Sequence, residues 1–195
     1  MTSVTKINPN PSNESELIFE VSKWAVLNFG SRRAPHLGIV EEIGEATHCV
    51  LKRFQGIRGF DSFEFFKIKF GDSLADTIIY LADWCAQHNS LFAFGRNLQE
   101  APPLTIDDQD RILIHILQAA TRIVQLSNVE ISHDKGFKVM QEGDFNMVAQ
   151  RLCSGIEIWA EIYDLDLRLI VAHTWAKVSQ RDWTKGQTEQ PAHLS

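Results

Sequence analysis

The chain has little that would cross-link it. Three cysteines, Cys49, Cys85 and Cys153, occur in 195 residues, with no CxxC pair and no metal-ligand spacing. That excludes a disulfide scaffold and a thiolate zinc site. Each lies in an apolar helical stretch and reads as a small buried hydrophobe in a reducing cytosol. Positive charge is also short: 19 Lys and Arg against 25 Asp and Glu leave a net charge of −6. A general nucleic-acid binder would carry a basic face, so that class is excluded. Apolar runs long enough for a membrane span are missing. Residues 1–13 are polar, contain Pro9 and Pro11, and lack the apolar core of a signal peptide. A soluble, cytoplasmic protein with no membrane partner is expected.

What is present is core material. The chain is 44% hydrophobic, with five Trp and twelve Phe, which is incompatible with a disordered chain. Its length fits one domain. The expected layout is a tail over 1–13, a single helical domain over 14–185 and a second tail over 186–195. A linker over about 92–104, closing on Pro102 and Pro103, runs inside the domain.

Hydrophobic periodicity is helical nearly throughout. Asn13 and Glu16 have capping-box spacing and start a first helix, which stops at Gly30. A second helix runs from Pro35 to about Phe54, with Val40, Ile43, Thr47, Val50, Leu51 and Phe54 as its expected apolar stripe. A third spans about Gly71 to His88; the preceding run Phe63 to Phe70 can be read as extended, though without a partner strand. Thr105 caps a fourth helix with Asp107 and Asp108 in its first turn, and residues 131–143 form a loop. Asp144 opens a fifth helix, and a sixth covers about Asp166 to Trp183. The fold class is all-α, a bundle of five to six helices.

The informative feature is the placement of acids. Glu41, Glu42 and Glu45 sit three and four residues apart on the second helix, on a face expected to point away from the apolar stripe. On the third, Asp72, Asp76 and Asp83 recur at spacings of four and seven, within roughly 40° of the helical wheel. Like charges so spaced cost an isolated helix about 0.2–0.5 kcal/mol per pair. Divalent cations would offset that, because Mg²⁺ takes carboxylate oxygens together with water and substrate phosphates. Either acidic face can also be read as solvated surface, and Asp83 as a surface or supporting residue.

These residues also carry a resemblance. The string Leu37-Gly38-Ile39-Val40-Glu41-Glu42-Ile43-Gly44-Glu45, then Leu51-Lys52-Arg53 and Gly56-Ile57-Arg58, then Gly71-Asp72-Ser73-Leu74-Ala75-Asp76 leading into Ile79-Tyr80-Leu81, resembles the MazG-like all-α NTP pyrophosphohydrolase superfamily. The likeness is strongest to short stand-alone members of phages and bacteria. The stretch Trp24 to Gly30 is similar to their first helix. The resemblance covers Val21 to Gln87 well and the second half more loosely. Glu42 and Glu45 supply the family's ExxE element. The following ExxD element is altered, since Ser73 stands three before Asp76 and the nearest acid is Asp72.

The resemblance implies Mg²⁺- or Mn²⁺-dependent hydrolysis of a nucleoside triphosphate to monophosphate and pyrophosphate, with two or more ions. Glu42, Glu45, Asp72 and Asp76 would be ligands, and Glu41 or a ligating glutamate would orient the attacking water or take its proton. A purine deoxynucleotide such as dGTP or dATP is mildly preferred, and a homodimer or tetramer is expected. His173, Lys177 and Arg181 recur every four residues. The Lys177–Arg181 pair resembles the family's cationic motif for the outer phosphates, although a basic last turn also suits the helix dipole. Lys52 and Arg58 (with Arg53) are weaker candidates for the same role, and Trp24 or Asn28 for a contact with the base, unless Trp24 is core.

Other features carry less. His48 reads as structural, because Mg²⁺ rarely takes imidazole. The pair His133-Asp134 lacks the rest of an HD phosphohydrolase pattern. Glu157, Glu161 and Asp164 read as solvated surface. Two alternatives stay open: a pyrimidine-specific relative acting on dUTP or dCTP, and a non-catalytic helical module that binds a partner through its acidic faces.

Overall fold

A computed structural model describes residues 6–57, 59–95, 108–129 and 142–182. Among them are six α-helices and no strand: α1 (Glu14–Phe29), α2 (Pro35–Phe54), α3 (Phe63–Gln87), α4 (Gln109–Val129), α5 (Glu142–Ile162) and α6 (Leu167–Val178). A short 3₁₀ turn, Gly30–Arg32, joins α1 to α2. None of these helices is long and apolar enough to cross a membrane. Thr105, Asp107, Arg58, His133 and Asp134 lie outside the described residues.

Local chemistry sets the helix ends. Asn13 caps α1 by accepting the Glu16 N–H at 2.9 Å, but Glu16 turns its carboxylate to Ser12 and Asn8 rather than back to Asn13. Gly30, at φ 57° and ψ −126°, takes a positive-φ conformation that favours glycine and closes α1. Asp166 caps α6 through the Leu169 N–H at 3.0 Å.

Three expected boundaries move. Phe63 to Phe70 is not extended; it forms the first two turns of α3, capped by Ser62. Phe63, Phe66 and Phe70 stack along one helical face, with centroids 6.1 and 5.2 Å apart, and Tyr163 and Trp159 meet that face edge-on. The aromatic spacing is helical, and burial of this ladder overrides the strand propensity of phenylalanine. Gly71 is therefore mid-helix; an added Cβ would stand 3.2 Å from Ile170, so it is where α6 comes close. Glu142 and Gly143 belong to α5, and α6 ends at Val178.

The buried side chains form one cluster fed by all six helices, with Trp84, Trp159 and Trp175 fully enclosed. Each such side chain contributes roughly 1.5–3 kcal/mol through burial. α3 is the central rod, touching α1, α2, α5 and α6. The three cysteines are free and buried, and burial pushes the Cys85 thiol up to about 12.

The apolar face of α2 is rotated from the expected stripe. Ile39, Ile43, Ala46, Cys49 and Val50 face the core, whereas Val40, Leu51 and Phe54 are 48%, 49% and 63% exposed. The expected face mixed two rows. Val40, Gly44 and Thr47 border a groove shared with Leu117, Thr121 and Val124 of α4.

Candidate active site

The rotation of α2 has a direct effect on its acids. Glu41 and Glu45 are exposed, but Glu42 flanks the buried row and is turned half-inward toward α3. Asp76 of α3 is half-buried opposite it. Both carboxyls are pushed above their ordinary range, Glu42 to about 8 and Asp76 to about 6. Burial is the main cause in each case. Like charge adds to it, from Asp76, Glu45 and Glu41 at Glu42, and from Asp72 and Glu45 at Asp76. Arg181 opposes the shift at Asp76. At Glu42 every influence pushes the same way.

The five acids named by the sequence therefore share one electrostatic neighbourhood. They do not form a finished cage: among the described residues no three His, Cys, Asp or Glu side chains are grouped closely enough to hold an ion by themselves. Glu41, Glu42 and Asp76 line a cavity, while Glu45 and Asp72 stand exposed beside it. The donor set is all carboxylate oxygen. That suits Mg²⁺, which is bound through one or two carboxylates and completes its shell with water and phosphate. On donor chemistry the residues fit the ion.

The cavity encloses about 470 Å³ between α1, α2, α3 and the end of α6. Its walls are apolar and aromatic: Val21, Trp24, Phe29, Pro35, Ile79 and Tyr80. Trp24 meets Phe29 and Trp175 edge-on and donates its indole N–H to the Arg181 carbonyl at 3.1 Å. Tyr80 lies flat over Gly38, where a Cβ would stand 2.6 Å from the ring, so only glycine leaves room for it. Burial, then Glu42 and Asp76, push the Tyr80 phenol up.

The polar lining also includes an ion pair. Arg33 Nη1 donates to Asp83 Oδ1 at 2.7 Å, and Gln87 Nε2 donates to Asp83 Oδ2 at 3.1 Å. Asp83 is thus neither on the surface nor beside the metal-binding candidates. It is 5% exposed, and burial raises its carboxyl against the pull of Arg33.

The basic residues separate. Arg181 sits in a turn just past α6 and lines the cavity near Asp76. Lys177, on the last turn of α6, is exposed and outside the lining, as is His173. Lys52 and Arg53 serve the loop after α2: Lys52 lies 5.0 Å from the Phe60 ring centre, and Arg53 donates to the Phe60 and Asp61 carbonyls at 2.9 and 2.6 Å. Asn28 bonds back to the Trp24 carbonyl at 2.9 Å and does not line the cavity. His48 is exposed.

Sequence reading missed Arg33, Tyr80 and the partnership of Asp83. The adjacent arginines Arg32 and Arg33 between two helices were the available signal for the first. Glu157 also departs from expectation: it is 8% exposed, and its carboxylate accepts the Gly95 N–H at 2.8 and 3.0 Å. It anchors the chain that leaves α3, where Gln150 also accepts the Ala93 N–H and donates to the Ala93 carbonyl.

Compared with family models, with characterised proteins and with solved structures, the chain matches none.

Proposed function

We propose that this protein is a Mg²⁺- or Mn²⁺-dependent nucleoside triphosphate pyrophosphohydrolase, which cleaves the bond between the α and β phosphates. The observation that supports this best is the facing pair Glu42 and Asp76. Two half-buried carboxylates, crowded by Glu41, Glu45 and Asp72, stand at an aromatic cavity of nucleoside size. A protein gains nothing in stability from such an arrangement. It is explained if divalent cations complete it when a polyanion arrives. The order and spacing of the acids, which resemble the MazG-like pattern, point the same way.

In this reading Glu42, Glu45, Asp72 and Asp76 hold the ions, whose chemical contribution is to neutralise phosphate charge and acidify a water. Glu41, or one of the ligating glutamates, orients that water and accepts its proton. The water oxygen bonds to the α phosphorus, and the α–β bridging bond breaks. Pyrophosphate leaves with the bonding electron pair. Arg181 offers a guanidinium to the phosphates from the cavity wall beside Asp76, and Lys177 adds charge one turn back. Trp24, Phe29 and Tyr80 exclude water and flank the base.

A panel of nucleotides with Mg²⁺ or Mn²⁺, with product identification, tests this. Monophosphate and pyrophosphate should appear in equal amounts. Direct release of inorganic phosphate would overturn the cleavage position, and no turnover of any nucleotide would favour a binding module. We also propose self-association through the exposed row Leu37, Val40, Leu51 and Phe54 of α2 with Ile114 and Leu117 of α4. Sedimentation should show a dimer or tetramer that Val40→Glu with Leu117→Glu converts to monomer.

A further inference from the structure

The aspartate stripe of α3 divides into two ends with different surroundings. Asp76 belongs to the acidic mouth. Asp83, seven residues on, lies about 10 Å further along the helix axis on the same face, buried against Arg33 in the lining of the same cavity. That separation is comparable with the distance from the 5′-phosphate of a nucleotide, across its sugar, to the far edge of the base. Between the two ends stand the Trp24, Phe29, Ile79 and Tyr80 walls, which suit a flat heterocycle.

We infer that the Asp83–Arg33 pair reads the Watson–Crick edge of guanine. This rests on the nucleotide-binding reading above and names its base. A carboxylate offers about four lone-pair positions. Arg33 occupies one on Oδ1 and Gln87 one on Oδ2, which leaves acceptor capacity on each oxygen. Guanine presents two adjacent donors, the 2-amino group and N1–H, followed by the O6 acceptor. The two donors match the two carboxylate oxygens, and O6 meets the Arg33 guanidinium. Adenine and cytosine each present one donor group on this edge, and thymine or uracil places its single N–H between two acceptors that would face the carboxylate. Guanine alone among the common bases supplies donor, donor, acceptor in that order.

The test is binding of 5′-monophosphates to the full chain in Mg²⁺, which needs no turnover. Wild-type protein should bind the guanine nucleotide about tenfold or more tightly than the adenine, cytosine or uracil nucleotide. It should also favour it over the hypoxanthine nucleotide, which lacks only the 2-amino donor. Asp83→Asn replaces one acceptor oxygen with a donor, so preference should pass to the xanthine nucleotide, whose 2-carbonyl accepts. A gain of xanthine binding cannot arise from misfolding. Equal affinity for guanine and hypoxanthine in the wild type, or an unchanged guanine preference in a folded Asp83→Asn variant, overturns the inference. Pyrophosphate release from all bases alike would overturn it and leave the enzymatic reading standing. Guanine preference without turnover of any triphosphate would do the reverse.

Discussion

Glu157 is a buried and Glu42 a half-buried glutamate, both on long helices, yet their surroundings are opposite. Glu157 on α5 accepts the Gly95 N–H through both oxygens and has Arg168 within electrostatic reach. Glu42 on α2 has no hydrogen-bond donor among the described residues, and its charged neighbours are Asp76, Glu45 and Glu41. A buried carboxylate costs stability unless donors or cations answer it. At Glu157 the chain supplies them and the group ties down the segment leaving α3. At Glu42 the chain withholds them, which is what the proposed cation and phosphate site requires.

The largest contrast should appear in turnover. Glu42→Gln and Glu45→Gln are expected to lower the rate of pyrophosphate release on the order of 10²–10⁴-fold with an unchanged circular dichroism spectrum, whereas Glu157→Ala should leave kcat within a few-fold. Full activity in Glu45→Gln would remove the ligand assignment. In stability the ranking should invert. Glu157→Ala leaves the Gly95 N–H without its acceptor and should cost about 1–3 kcal/mol in denaturant unfolding. Glu42→Gln should instead raise the melting temperature of the metal-free protein above pH 8.

The pH dependence behind that inversion is of similar size. Glu42 is raised from 4.5 to about 8 and Asp76 from 3.8 to about 6 in the folded chain. Across that window the folded state holds protons that the unfolded chain has released, so stability falls as pH rises from about 4 to about 8. With solvent screening of half-buried groups, the loss is about 1–3 kcal/mol, or roughly 3–10 °C of melting temperature. Mg²⁺ should abolish much of the decline. A flat metal-free profile over pH 5–8 would show that the two acids are not crowded as described.

The helical character, the cap at Asn13, the start of the sixth helix near Asp166 and the stop at Gly30 were legible because they depend on neighbours in sequence. The acids of α2 and α3 were legible for the same reason: three- and four-residue spacings fix a shared face. What escaped was whatever depends on partners far along the chain. The α2 stripe was misplaced by mixing two adjacent rows, and which row faces inward is decided by α3. The Phe63–Phe70 run looked extended until Tyr163 and Trp159, about a hundred residues later, supplied the wall for its ladder. Arg33 and Asp83 stand fifty positions apart, so their pairing has no local signature.

The bond from the Trp24 indole to the Arg181 carbonyl joins the first helix to the turn after the last. Three cavity walls come from α1, α2 and α3, but Val178 and Arg181 close the fourth. During synthesis, the acids of α2 and α3 are thus made long before the chamber they serve can exist. A nascent chain that has folded its first three helices carries the carboxylate cluster but no enclosed cavity. The cavity closes only when the sixth helix docks.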